Sequence, residues 1–132
     1  MSTIQQHVQG TIERMTTALD TRDIEGVMKT YEHDAVILFE PAMPVSDSAT
    51  KRQLFTGLAA AKPRFDYGEH EVIVAGDIAL HVMPWTMTGT APDGGAITQG
   101  GLSVAVLRRQ RDGQWLMVID NPHGQRLLRH SQ

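Results

Sequence analysis

The large apolar side chains of residues 3–20 are Ile4, Val8, Ile12, Met15 and Leu19. That spacing draws one stripe along a helix, so residues 3–20 are expected to form an amphipathic helix capped by Ser2 or Thr3. Thr21-Arg22 interrupts the stripe. Asp23 can then cap a second short helix bearing Ile24, Val27, Met28 and Tyr31, with His33-Asp34 at its end, where a histidine suits the helix dipole. The run Ala35–Phe39 is compact and rich in strand formers, and it reads as a strand. A loop with Pro41, Pro44 and Ser46-Asp47-Ser48 follows. Thr50–Lys62 reads as a third helix with Leu54, Phe55, Leu58 and Ala59 on one side, stopped by Pro63.

Beyond Pro63 the period changes. Residues 64–75, 77–90, 96–110 and 114–121 read as strands, separated by Gly76-Asp77, Pro92-Asp93-Gly94-Gly95 and Asp112-Gly113. Such turns close hairpins. Helices first and hairpins afterwards imply an α+β fold, a curved antiparallel sheet wrapped around the helical hairpin and the third helix. Long strands bend, and a bent sheet facing helices leaves a conical hollow. Gly100-Gly101, within one strand, is expected to be a bulge or bend. The last strand, Trp115–Ile119, is apolar on both faces and runs into Asp120-Asn121-Pro122-His123.

Composition narrows the classes. A chain of 132 residues is expected to be one domain with a core over about residues 5–124, burying roughly two-thirds of its unfolded surface. A net charge of −3 and a pI near 6.0 offer no basic footprint for nucleic acid or an anionic membrane. Arg108, Arg109 and Arg111 read as a solvated hairpin end. With no cysteine, disulfides, thiol nucleophiles and thiolate metal sites are excluded. The start shows no signal-peptide pattern and no stretch approaches a membrane span, so a cytoplasmic protein is expected. No two histidines stand at HxH, HxxxH or HExxH spacing, no phosphate-binding glycine motif follows a strand, and no GxSxG is present. The expectation is a chain with no metal and no cofactor.

Asp120 carries the sharpest chemistry. Alternation puts it with Leu116 and Val118, and puts Trp115, Met117 and Ile119 on the other face. Since both faces are apolar, periodicity leaves open which one meets the hollow. In an apolar hollow a carboxyl pKa rises, which suits a general base acting beside a carbonyl. At the surface, Asp120 would only cap the next turn. His81 shares the parity of Met83 and Trp85, and is either a proton partner for Asp120 or a hydrogen-bonded core residue. Tyr31 and Trp85 combine an apolar body with a polar tip, as ligand-lining residues do. Phe39, Met83 and Val118 are candidate apolar walls. Asn121 and His123 follow Asp120 closely enough to form a polar cluster with it, unless His123 already lies beyond the hollow. His70 sits in a solvent-like Glu69-His70-Glu71 segment.

Four stretches together resemble the nuclear transport factor 2-like superfamily, and within it the SnoaL-like and ketosteroid-isomerase-like proteins. They are Tyr31-Glu-His-Asp34-Ala, Val74-Ala-Gly-Asp77-Ile-Ala79, Trp85-Thr-Met-Thr-Gly89 and Arg111-Asp-Gly-Gln-Trp115-Leu-Met-Val-Ile-Asp120. The resemblance covers roughly residues 5 to 124 and rests on order and spacing. It implies a cone-shaped α+β barrel, an apolar pocket for a small molecule, and a homodimer packed through the sheet. It also implies isomerase, cyclase or dehydratase activity in some members, with polar pocket groups on the Leu116/Val118/Asp120 parity. One departure is Val45-Ser-Asp-Ser-Ala-Thr50, where many relatives carry a glycine before the third helix. Function is carried by the site and not by the fold. Three readings stay open: an acid–base enzyme with Asp120 as base, a binding or dimerisation module, and a filled core without a site.

Overall fold

The computed structural model describes residues 3–128. Helix α1 (Ile4–Asp20) starts at a reciprocal cap in which the Thr3 hydroxyl accepts from Gln6 N and the Gln6 side chain accepts from Thr3 N. Ser2, the alternative cap, lies outside the described residues. Helix α2 (Ile24–Met28) is capped by Asp23 as expected. Strand β1 (Tyr31–Glu40) then begins earlier than the pattern indicated. Tyr31, His33 and Asp34 are therefore strand residues, not the end of a helix. The short β2 (Met43–Val45) folds back on β1 and had no sequence signal, since Pro44 sits at its centre. Helix α3 (Ser48–Ala60) is capped by Asp47, which accepts from Thr50 N at 2.8 Å.

Residues 64–75 form two strands, β3 (Arg64–Tyr67) and β4 (Glu71–Ala75). Both pair with the long β5 (Ile78–Thr90), β4 along its first half and β3 along its second. The break falls opposite Pro84, which has no N–H to offer; its carbonyl accepts from Gly68 N instead. Strands β6 (Ala96–Arg109) and β7 (Trp115–Asn121) complete a sheet of order β2-β1-β7-β6-β5-β3, and a 3₁₀ turn spans Gly124–Leu128. The sheet is mixed rather than purely antiparallel, because β1 lies parallel to β7.

Helices and sheet bury Val8, Ile12, Leu19, Val27, Phe55, Leu107, Trp115 and Met117 between them. At Gly100-Gly101 the β5–β6 register runs without a shift, so the glycine pair makes no bulge. The bulge lies elsewhere. On β7, Met117 pairs with Leu107 and Ile119 with Val106, which leaves Val118 as the extra residue. That single insertion reverses the facing of the strand. Trp115 and Met117 point inward before it, and Asp120 points inward after it.

Candidate functional site

Sheet and helices border a cavity of about 620 Å³, a size that suits a small organic ligand. Its wall is mostly apolar. Among the described residues, five of the six methionines (Met15, Met43, Met83, Met87, Met117) and six of the seven aromatic residues (Tyr31, Phe39, Phe55, Phe65, Tyr67, Trp85) line it. Thioether chains are flexible and polarisable, so this wall can adapt its shape to a ligand. Glu40, Met43, Leu54 and Gln99 are both lining and exposed, and they mark the mouth.

The polar centre is a pair. Tyr31, at the start of β1, donates its hydroxyl to Asp120 Oδ2 at 2.5 Å, the short length expected of a charge-assisted bond. Both groups are buried. Burial raises the Asp120 carboxyl above the usual aspartate range, opposed by the Tyr31 hydrogen bond and by nearby His123. Tyr31 is raised well above an ordinary phenol, first by burial and then by the Asp120 charge. The shared proton thus favours the Asp120 carboxylate and disfavours the Tyr31 phenolate. A second phenol, Tyr67, sits in the wall with its hydroxyl 2.5 Å from Thr16 Oγ1, and burial raises it too.

His123 belongs to this site as well. Its Nε2 lies 3.0 Å from the Phe39 carbonyl, and a carbonyl only accepts, so Nε2 carries the proton. Its backbone N–H is held by Asn121 Oδ1, and the Trp85 indole donates to the Pro122 carbonyl at 2.9 Å. These bonds draw the chain after β7 across the cavity edge. Of the two places the sequence leaves open for His123, in the polar cluster or beyond the hollow, it takes the first.

Of the sequence candidates, Asp120, Tyr31, Trp85, Met83 and Phe39 line the cavity, and His81, Asn121 and Val118 do not. His81 faces the same side of β5 as Met83 but sits beneath α1, with no exposure. Its Nε2 lies 2.6 Å from Gln9 Oε1, its ring stacks on His70, and its Nδ1 has no partner. Burial, with a smaller contribution from His70, holds its pKa down to about 4. A neutral ring committed to Gln9 is no proton partner for Asp120. Asn121 acts through its turn, and Val118 is spent on the bulge. Among the described residues, no three His, Asp or Glu side chains gather in a way that would hold a metal ion.

The SnoaL-like domain family matches residues 12–118 of the chain. The protein belongs to that family. Solved structures agree on the fold. A Novosphingobium aromaticivorans protein assigned provisionally as an aromatic ring hydroxylase superposes with a TM-score of 0.79 at 24% identity, covering 92% of this chain and 90% of its own. A ketosteroid isomerase-like protein from Erwinia carotovora atroseptica gives 0.72 at 17%, covering 86% and 90%. The association domain of C. elegans CaMKII gives 0.71 at 17%, covering 89% and 92%. No curated protein matches. Among the described residues of this SnoaL-like chain, no helix is long and apolar enough to cross a membrane.

Proposed function

We propose that this SnoaL-like protein binds a small apolar carbonyl compound and moves a proton beside the carbonyl, without metal or nucleotide, in the manner of an isomerase, cyclase or dehydratase. The observation that carries the reading is the buried Tyr31–Asp120 pair in the wall of an apolar cavity. Asp120 is the base: its carboxylate takes a proton from the carbon next to the carbonyl, the C–H pair becomes the enolate π bond, and the new carboxylic acid returns the proton. Desolvation strengthens the base. The Tyr31 hydroxyl holds Oδ2 and leaves Oδ1 to act. Trp85, Met83 and Phe39 clamp the apolar body of the ligand.

The test is incubation in D₂O with a panel of small cyclic and aryl ketones, read by mass spectrometry and NMR. Deuterium should enter at the carbon next to the carbonyl with wild type and not with Asp120→Asn. Ligands that stabilise both proteins equally in thermal shift, with no exchange by either, would leave a binding module.

A second observation favours self-association alongside either outcome. On the outer face of the sheet, Ile73, Leu80, Val106, Ile119 and Val36 stand in register across five strands, with Ile73 53% and Ile119 42% exposed. An apolar row of this kind suits a second copy of the chain packed face to face. Val106→Arg should convert a dimer to a monomer in analytical ultracentrifugation. A wild type that sediments as a monomer at high concentration would end this reading.

A further inference from the structure

We infer that Lys51 is a positioning residue, whose ammonium group sets the β1 irregularity that brings Tyr31 within hydrogen-bond reach of Asp120. The inference rests on the Tyr31–Asp120 pair being the reactive centre. Lys51 stands near the start of α3 with no exposed surface, in the other layer of the fold. Its Nζ donates to the carbonyls of His33 and Ala35, each at 3.0 Å. Those carbonyls lie in the stretch where β1 loses step with β7. Tyr31 pairs with Met117 and Val36 with Ile119, five steps on one strand against two on the other. Five extended residues span about 16 Å and two span about 7 Å, so the irregularity takes up roughly 10 Å of chain.

The side chains of the stretch sort accordingly. Glu32 reaches Arg108 and Gln110, His33 and Asp34 are exposed, and Ala35 is buried. Carbonyls turned off the ladder in a buried place need donors, and an ammonium group supplies two at once. Burial lowers the Lys51 pKa, and Asp34 and Asp47 oppose that shift. With the amine removed, the two carbonyls lose their donors and the stretch relaxes toward regular pairing. Tyr31 then slides along β7 and leaves Asp120.

The test is an NMR titration of the Asp120 carboxyl in wild type, Lys51→Met, Lys51→Arg, Tyr31→Phe and the double variant Tyr31→Phe/Lys51→Met. Losing the Tyr31 bond removes support for the carboxylate, so Tyr31→Phe should move the Asp120 midpoint upward. Lys51→Met should move it upward by the same interval, and the double variant should move it no further, the signature of two residues acting through one contact. Lys51→Arg, which keeps two donors, should titrate like wild type. A lysine with only a structural role lowers Tm and leaves the midpoint where it was. A folded Lys51→Met with a wild-type midpoint, or a double variant with additive shifts, overturns the inference. If Lys51→Met fails to fold, Lys51→Gln, with shorter reach, is read on the same titration. Absence of exchange by wild type would remove the base reading, yet this titration would still report whether Lys51 holds the pair together.

Discussion

Asp120 and His81 stand in one row of the sheet. Ala105 on β6 pairs with His81 on one side and with Asp120 on the other, which separates their Cα atoms by about 10 Å, two strand spacings. Both side chains are buried, and burial drives both toward their neutral forms. The surroundings differ. Asp120 borders a cavity and holds a phenol proton, whereas His81 is roofed by α1 with one ring nitrogen bonded to Gln9 and the other bare. A perturbed pKa therefore marks burial at both places, but it marks a candidate reactive group only where space for a ligand and a proton donor meet it. The helix above the sheet decides which is which.

The largest expected effect separates the two directly. Asp120→Asn should reduce ketone proton exchange by roughly 10²- to 10⁴-fold, the range for loss of a general base, while His81→Gln should leave the rate within about threefold. Equal losses in both variants would put His81 back in the reaction and break the contrast. Deuterium incorporation under saturating ketone reads both.

The second effect is on stability, and the signs oppose. His81 titrates near 6.5 when unfolded and about 4 when folded, so the unfolded chain binds the proton more tightly. Its contribution is fully present above about pH 6.5 and is lost as pH falls through 4, an acid-side loss of about 3 kcal/mol. Asp120 is raised on folding, so its contribution is present below the unfolded value of 3.8 and is lost as pH rises through the folded value. His81→Leu should therefore flatten the acid limb of urea stability between pH 6.5 and 4. An unchanged limb would mean that His81 takes up its proton without unfolding pressure.

The third variant acts on the cavity side alone. Tyr31→Phe keeps the ring against Phe55 but removes the bond to the carboxylate. A hydrogen bond to a charged group is worth about 1.5–3 kcal/mol, so its loss raises the Asp120 midpoint and shrinks the ionised fraction: exchange below the new midpoint should slow by up to roughly 10- to 100-fold and recover as pH rises through it, with little change in ligand KM. A rise in KM at constant kcat would assign the phenol to binding instead.

Much of the molecule was legible in the chain for identifiable reasons. The Ile4–Leu19 stripe, the Asp23 cap and the hairpin dipeptides act locally, so α1, α2 and the long strands follow from them. The helix boundary at Tyr31 was not legible, because Val27, Met28 and Tyr31 keep helical spacing while β7 competes for the backbone at Tyr31. The parity of Asp120 was not legible either. Strict alternation assigned it to the side of Leu116 and Val118, and the Val118 bulge, created by pairing with β6, cancels that alternation. The apolar neighbours of His81 suit a cavity wall and a packed layer under a helix equally well. What signalled the cavity was the crowding of methionine and aromatic residues into it, a pattern visible only once strands distant in sequence are joined.

The smallest effect concerns the glycine pair in β6, and it acts on the cavity alone. A Cβ at Gly101 would meet the Pro122 carbonyl at 2.8 Å and Gln125 Oε1 at 2.7 Å. The glycine therefore admits the returning chain, which Gln125 fastens by accepting from Leu102 N. Because the Pro122 carbonyl is backbone, it cannot swing aside as a side chain would. Gly101→Ala should cost about 1–2 kcal/mol as overpacking strain. It should also displace Pro122 and His123 from the cavity edge, weakening ketone binding several-fold. The His81 ring lies under α1 and touches none of these groups, so its NMR titration should not move. Weaker binding with an unchanged His81 midpoint would keep the two ends of the row energetically separate. A shift in that midpoint would mean that strain at the cavity edge reaches the closed end through β5 and β6, and the contrast between an open and a sealed half would no longer hold.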